Sequence, residues 1–432
     1  MWRGVMPSVL LAALLAAVAR PVAAVEPQER VDVPQAAVLQ AGMVGQSLRV
    51  TVVTAGFGAS EPDQSTLTVS AWFDGAPIRA ALPLIDIPSR LSLELDLRAG
   101  AVRVGGVTVG DFPPVAPFRE NLRFPVEVTV RRGALAATAR ATVTTLLPVV
   151  IAPGYLNEWG GPSRDVLAAF ERRGYTVSGP RQNVFWFTYP SQQVTVPEGA
   201  AALAAYVRAV VLPATHAARV NVVGYSLGGL MARWNIAHDM YGWATLVNRL
   251  VLVGVPNEGT VLAYVMAHTP SILPYSGLGR RPAASAFLPT FPFWRADSKQ
   301  PWTVPADAGN ELLADLNARP MPSDIRLYLF YGSHDPSHAA GPQTSAGITG
   351  SLSGATLSYG EGDGVVLAAS AQGLPIGGGE GVTALMDHAA VRVDLGAVYH
   401  TGLLEAGATK IVAALLDRFF DRVDEDTKSV SQ

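Results

Sequence analysis

Val220-Asn221-Val222-Val223-Gly224-Tyr225-Ser226-Leu227-Gly228-Gly229-Leu230-Met231-Ala232-Arg233 is the stretch that decides the fold. Its first four residues are mainly β-branched, as in a strand covered on both faces. From Leu227 the spacing predicts a helix to about His238. Between them, Gly224-x-Ser226-x-Gly228 fits the pattern G-x-S-x-G. That pattern is a weak signal alone and gains its weight from the strand before it and the helix after it. Small residues are needed there because the backbone must close tightly around Ser226 and lift it to the carboxyl end of the sheet. The N-terminus of the following helix then directs free N–H groups at developing negative charge. The alternative reading is a glycine-rich helix cap around an inert serine.

Outward from this stretch the texture repeats. Leu147-Pro148-Val149-Val150-Ile151-Ala152, Val184-Phe185-Trp186-Phe187, Leu250-Val251-Leu252-Val253 and Ile325-Arg326-Leu327-Tyr328-Leu329-Phe330 read as further strands. Val391-Arg392-Val393-Asp394-Leu395 reads as the last one. Helical patterns fall near 163–173, 198–211 and 406–420. Strands alternating with helices predict an α/β fold with a mostly parallel sheet and helices on both faces.

The run from Val220 to Arg233 resembles the nucleophile elbow of α/β-hydrolase lipases and esterases. Val253-Gly254-Val255-Pro256-Asn257-Glu258-Gly259-Thr260 resembles the strand and Pro-x-x-Gly turn that follow the elbow in those enzymes. Asn310-Glu311-Leu312-Leu313-Ala314-Asp315-Leu316-Asn317 resembles the helix after their lid. The resemblance covers roughly 147–420. It implies an α/β-hydrolase of bacterial lipase or esterase type, with Ser226 as nucleophile.

Acyl transfer builds an oxyanion that two backbone N–H groups usually hold. One donor is expected from Leu227, the residue after the nucleophile. The other is expected from the loop Ala152-Pro153-Gly154-Tyr155-Leu156. The family usually carries His-Gly there, whereas this chain has Pro153-Gly154. Tyr155 takes the donor position, with Leu156 as runner-up.

The general base should be a histidine between the last strand and the last helix. The chain has seven histidines. His216 and His238 come too early, His268 lies in the expected lid, and His334 and His338 lie on a polar loop. His400 and His388 remain. His400 opens Tyr399-His400-Thr401-Gly402-Leu403-Leu404, which matches the family's pattern before its terminal helix, and is preferred. The acid that orients the imidazole has two main candidates. Asp335 follows a strand that often delivers it. Asp363, in Gly362-Asp363-Gly364-Val365-Val366, resembles the Asp-Gly-x-Val turn of many bacterial lipases and cholesterol acyltransferase-like enzymes, and is preferred. Glu361 stands further out. Either aspartate also suits an ordinary turn.

Residues 261–324 are expected to form a lid insertion, rich in apolar side chains such as Leu262, Phe291 and Trp294 and broken by prolines. Such a cap suits a greasy acyl substrate, and the same side chains also serve to pack it onto the core. Between about Gln35 and Thr145 the pattern is different. Leu48–Val52, Leu67–Trp72, Leu91–Leu95 and Val126–Val130 alternate with period two, which predicts antiparallel strands. Their spacing points to an immunoglobulin-like β-sandwich. No histidine lies in this part, so it is read as a structural or docking module.

The N-terminus pairs Arg3 with an apolar run from Val9 to Ala19, too short to span a bilayer, and Val22-Ala23-Ala24 suits cleavage. The expected organisation is a signal peptide (1–24), a β-sandwich (25–145), a catalytic domain (146–423) and a polar tail (424–432). Secretion or periplasmic export follows. The 432 residues carry a formal net charge of −3, which argues against a nucleic-acid partner. They include no cysteine, which excludes disulfides and thiolate chemistry. A serine mechanism requires no cofactor and no metal. The reading is therefore an exported serine hydrolase of carboxylic esters, acting on an ester or lipid with transient contact to lipid surfaces. An acyltransferase, an amidase or thioesterase, and a catalytically inactive surface-binding protein are the alternatives. The oligomeric state is not legible in the sequence.

Overall fold

The computed structural model describes residues 35–55, 65–73, 76–84, 90–155, 161–191, 194–259, 311–333, 362–363, 366–374, 385 and 388–416. The expected signal peptide, the polar tail and most of the expected lid lie outside the described residues.

The β-rich part contains β1 (Gln35–Val44), β2 (Ser47–Ala55), β3 (Ser65–Phe73), β4 (Ala76–Leu84), β5 (Arg90–Asp96), β6 (Ala101–Val104), β7 (Val107–Asp111), β8 (Leu122–Arg132) and β9 (Leu135–Thr145). They form a five-stranded sheet, β1-β2-β5-β6-β7, and a four-stranded sheet, β4-β3-β8-β9. Neighbours within each are antiparallel. The alternation read from the sequence explains the packing. Leu48, Val50, Val52, Leu93 and Leu95 from one sheet meet Leu67, Val69, Val126, Val128 and Val130 from the other in one buried core.

After Thr145 the chain enters a six-stranded sheet of order β11-β10-β12-β13-β14-β15. Its strands are β10 (Val149–Ala152), β11 (Val184–Trp186), β12 (Val220–Tyr225), β13 (Val247–Val253), β14 (Arg326–Tyr331) and β15 (Val391–Asp394). Every pairing is parallel. The helices of this part include α1 (Arg164–Glu171), α2 (Val196–Tyr206), α3 (Leu227–Ala237), α4 (Glu311–Ala318), α5 (Ala368–Ala371) and α6 (Leu403–Leu415).

The strict alternation of strand side chains builds two cores. Val150, Val222, Leu250, Leu252 and Leu329 face α2, α3 and α4. Val149, Ile151, Val223, Val251 and Phe330 face α1 and α6. Burial on both faces is why these strands read as unbroken apolar runs. Helix α2 starts in a capping box between Thr195 and Glu198. It continues through a π-helical turn, Val207–Val211, and ends at Thr215. This stretch is long and apolar enough to cross a membrane by composition. Val196, Ala200, Leu203, Ala204, Val207 and Val211 nevertheless pack in the core.

The β-rich part meets the amino-terminal ends of the parallel strands. Phe118 bridges to Ala217, just before β12, and accepts from Ala218 N–H at 2.8 Å. Asn121 Oδ1 accepts from Leu147 N–H at 2.7 Å, just before β10. Phe118, Leu147 and Ala217 form a small shared core. Ser226, at the carboxyl end of β12, therefore lies at the opposite end of the sheet.

Candidate active site

Ser226 sits between β12 and α3 with φ 51° and ψ −123°. A side-chain-bearing residue rarely adopts positive φ, and such strain concentrates at functional sites. The neighbouring glycines show what holds it. A Cβ on Gly224 would lie 2.5 Å from Gly229 Cα, and one on Gly228 only 2.1 Å from the Ala152 carbonyl oxygen. Ser226 N–H donates to the Val253 carbonyl at 2.9 Å, which ties the turn to the end of β13.

The loop after β10 closes over this turn. A Cβ on Gly154 would stand 2.8 Å from Ser226 Cβ, so only glycine allows the approach. Tyr189 OH donates to the Pro153 carbonyl at 3.1 Å and fixes the loop. Tyr155 follows directly and packs against the core beneath α3. Leu227 opens α3, where first-turn N–H groups lack intrahelical acceptors. Leu156 lies outside the described residues.

His400 begins a short 3₁₀ turn, His400–Gly402, that leads into α6. Its Nδ1 lies 2.7 Å from Asp363 Oδ2, and both side chains are buried. Its backbone N–H donates to the Asp363 carbonyl at 2.9 Å. Asp363 Oδ1 accepts from Val366 N–H at 2.7 Å, so the carboxylate is held from both sides. The pair occupies space left by two glycines. A Cβ on Gly254, next after β13, would lie 3.1 Å from both His400 Cε1 and Asp363 Oδ2. A Cβ on Gly332, next after β14, would lie 3.1 Å from Asp363 Cβ. The carboxyl ends of β12, β13 and β14 thus border one place.

The other candidates fall elsewhere. His388 Nε2 meets the Pro322 carbonyl at 3.2 Å, ahead of β14 and β15 and so at the amino end of the sheet. His216 is left-handed at φ 54°, and its Nε2 meets the Val115 carbonyl of the β-rich part at 3.0 Å. Burial holds its imidazole below the usual histidine range, with the Val115 contact opposing. His238 Nε2 meets Asp315 Oδ2 at 2.7 Å and stacks on Trp234. His268, His334, His338, Asp335 and Glu361 lie outside the described residues.

A second group of polar side chains ties α3 to the loop after β13 and to α4, and sequence reasoning gave it no role. Arg233, on α3, is fully buried. It donates from Nη1 to Asn257 Oδ1 at 3.0 Å and from Nη2 to Asn317 Oδ1 at 2.7 Å. Asn317 Nδ2 donates to Glu258 Oε1 at 2.8 Å and to the Asn257 carbonyl at 2.9 Å. Burial pushes the Glu258 carboxyl up to about 7, against the pull of Arg233. Burial also lowers the Arg233 guanidinium to about 10. The available signal was an arginine on an otherwise apolar helix and Asn257-Glu258 directly after a buried strand. Both look like ordinary solvent-facing residues in sequence. Among the described residues no group of three or more His, Asp or Glu side chains could hold a metal ion.

Residues 146–265 match the lipase (class 2) family. The match runs from the strand that precedes Gly154 through the elbow to the Asn257-Glu258 turn. Solved structures of lipases and esterases resemble the chain distantly. A mature Bacillus licheniformis lipase is 16% identical over 63% of this chain and 92% of its own, with a TM-score of 0.41. A Pyrobaculum calidifontis esterase is 15% identical over 68% and 83%, with a TM-score of 0.32. A Thermogutta terrifontis esterase with malate bound is 14% identical over 64% and 91%, with a TM-score of 0.29. No curated protein sequence matches the chain.

Proposed function

We propose that the protein is an exported serine hydrolase that cleaves carboxylic esters through an acyl-enzyme. Ser226 Oγ attacks the ester carbonyl. His400 Nε2 takes the serine proton and delivers it to the departing alcohol. Asp363 accepts from Nδ1–H, fixes the tautomer and stabilises the imidazolium. N–H groups of Leu227 and Tyr155 hold the oxyanion. Water, deprotonated by His400, then releases the acid and restores Ser226.

The observation that carries this reading is the buried 2.7 Å contact between His400 and Asp363, set beside the strained turn at Ser226. The lipase match supports a water-insoluble or lipid ester as substrate. The apolar content of the expected lid supports the same class. The β-rich part is read as an immunoglobulin-like accessory module. The order β1-β2-β5 in one sheet and β3-β8-β9 in the other supports that reading.

The test is hydrolysis of p-nitrophenyl esters, from acetate to palmitate, by the wild type, Ser226→Ala, His400→Ala and Asp363→Asn. Each substitution is expected to lower kcat by about a thousandfold or more. Equal rates in the wild type and Ser226→Ala would sink the proposal and leave a binding protein on an inactive scaffold. Running the reaction with a long-chain alcohol and separating free acid from alkyl ester distinguishes hydrolase from acyltransferase.

A further inference from the structure

The turn that carries Asp363 lies just before α5 in sequence. Its backbone closes on itself through the Gly362–Leu367 bridge and the Asp363 N–H to Val366 carbonyl bond of 3.1 Å. It then runs directly into α5. That single helical turn is fastened three times to the loop after β13. Ser370 Oγ accepts from Glu258 N–H at 3.0 Å and donates to the Gly259 carbonyl at 2.7 Å. Asn257 Nδ2 donates to the Ala371 carbonyl at 3.0 Å. Asn257 in turn accepts from Arg233 on α3, the helix that begins at the nucleophile. Buried contacts therefore link α3, which begins just after Ser226, through Arg233 and Asn257 to α5, the helix that follows the Asp363 turn in sequence.

We propose that Arg233, Asn257 and Ser370 form a positioning strut that sets the Asp363 turn, and through it His400, against the Ser226 helix. The inference rests on the Ser226–His400–Asp363 reading and assigns a task to residues outside it. None of the three touches the reacting atoms. The physical reason is that buried polar groups are costly unless every partner is in place. A network of this kind favours the arrangement that keeps its hydrogen bonds, whereas apolar packing alone tolerates sliding. A misplacement of about 1 Å in a catalytic group costs on the order of a hundredfold in rate. A second tie between α3 and α4, His238 with Asp315, lies off this path and provides a control.

The experiment measures ester hydrolysis against pH for full-length wild type, Ser370→Ala, Arg233→Lys and Asp315→Asn. Covalent labelling with a fluorophosphonate and thermal melting are measured beside it. Ser370→Ala is expected to lower kcat about tenfold to a hundredfold with KM changed less than about twofold. Labelling should reach the same end point more slowly. The acid limb of kcat/KM should move to lower pH, because a loosened Asp363 stabilises the imidazolium less. Arg233→Lys keeps the charge but loses the two-pronged donor, and should shift the limb in the same direction. It is the variant to read if Ser370→Ala fails to fold. Asp315→Asn should lower the melting temperature and leave the limb unmoved. The strut is overturned if folded Ser370→Ala and Arg233→Lys keep wild-type kcat and an unmoved limb. It is equally overturned if Asp315→Asn shifts the limb as far as they do. Full activity in Ser226→Ala would instead overturn the underlying triad.

Discussion

The Tyr225 hydroxyl donates to the main-chain carbonyl of His400 at 2.7 Å, and the two rings stack with centroids 5.1 Å apart. The residue before the candidate nucleophile therefore grips the turn that carries the candidate base. Tyr225→Phe removes one buried hydrogen bond and keeps the ring. A loss of about 0.5–1.5 kcal/mol in stability is expected. Loss of the tyrosine's grip should also let His400 wander, lowering kcat about threefold to tenfold. Denaturant unfolding and ester kinetics check both. A lower stability with unchanged kcat would reduce Tyr225 to a structural role.

Gly254 is a sharper case. It has φ 55°, and a Cβ there would lie 2.6 Å from Leu403 Cδ1 as well as against His400 and Asp363. Gly254→Ala is expected to cost about 1–2 kcal/mol for the backbone alone. Activity should fall about a hundredfold, because the methyl group displaces the histidine–aspartate pair. Gly105→Ala has a similar positive φ with open space around it, at the β6–β7 hairpin. It should lose comparable stability and no activity. Parallel loss of activity in both would mean that the assay reads folding and not the site.

Much of this architecture was legible in the sequence because burial writes a pattern. The strands β10, β12, β13 and β14 are covered on both faces and read as apolar runs, while β2, β3, β5 and β8 have one buried face and alternate. Helix α6 starts at Leu403, three residues before its expected start. Gly402 caps it without a side-chain signal, and Leu403, Leu404, Gly407, Ala408 and Ile411 bury its first turns. What the sequence withheld are relationships across the fold. The 2.7 Å contact of Asp363 with His400 spans 37 residues, and the preference for both came from resemblance to known turns, since no spacing rule selects Asp363 over Asp335. Arg233, Asn257 and Ser370 lie on three separate elements and meet only when the sheet is assembled. Polar residues that satisfy each other inside the protein look, in one dimension, like residues facing water.

The β-rich part is joined to the parallel-sheet part through Phe118, whose side chain is buried with Leu147 and Ala217. Phe118→Ala is expected to cost about 3–5 kcal/mol. The loss should appear as uncoupling. Calorimetry of the wild type should give one cooperative transition, and the variant should give two. The junction sits at the amino end of the sheet, so ester hydrolysis at low temperature should stay near the wild-type rate. A strong loss of kcat in a variant that stays folded would contradict this placement of the junction relative to Ser226.

Glu258 makes stability depend on pH. Its carboxyl is raised by burial from the ordinary value of 4.5 to about 7. Between those values the unfolded chain has released this proton and the folded protein still holds it. The sign comes from linkage: where the folded state binds more protons, stability falls as pH rises. This contribution is fully present below about pH 4.5 and is lost by about pH 7. Glu258→Gln keeps an amide of the same shape with no proton to lose. The stability difference between wild type and Glu258→Gln should therefore slope across that window and flatten above it. Chemical unfolding at pH 4.5, 5.5, 6.5 and 7.5 measures it. A constant difference across the four values would show that Glu258 titrates normally.

Ser226 itself should be a site where function opposes stability. Its φ of 51° is strained for any residue with a Cβ. Ser226→Ala removes the hydroxyl and keeps the Cβ, so the backbone strain remains. Ser226→Gly removes both. Both variants should be inactive toward esters, but Ser226→Gly should be the more stable by about 1–3 kcal/mol, less the fraction lost to the freer unfolded glycine. Substitution by glycine elsewhere in an ordered chain normally destabilises by about 0.5–1 kcal/mol relative to alanine, so the reversed order is diagnostic. Equal or lower stability of Ser226→Gly relative to Ser226→Ala would show that the turn carries no strain. The backbone would then give no reason to single out this serine among those of the chain.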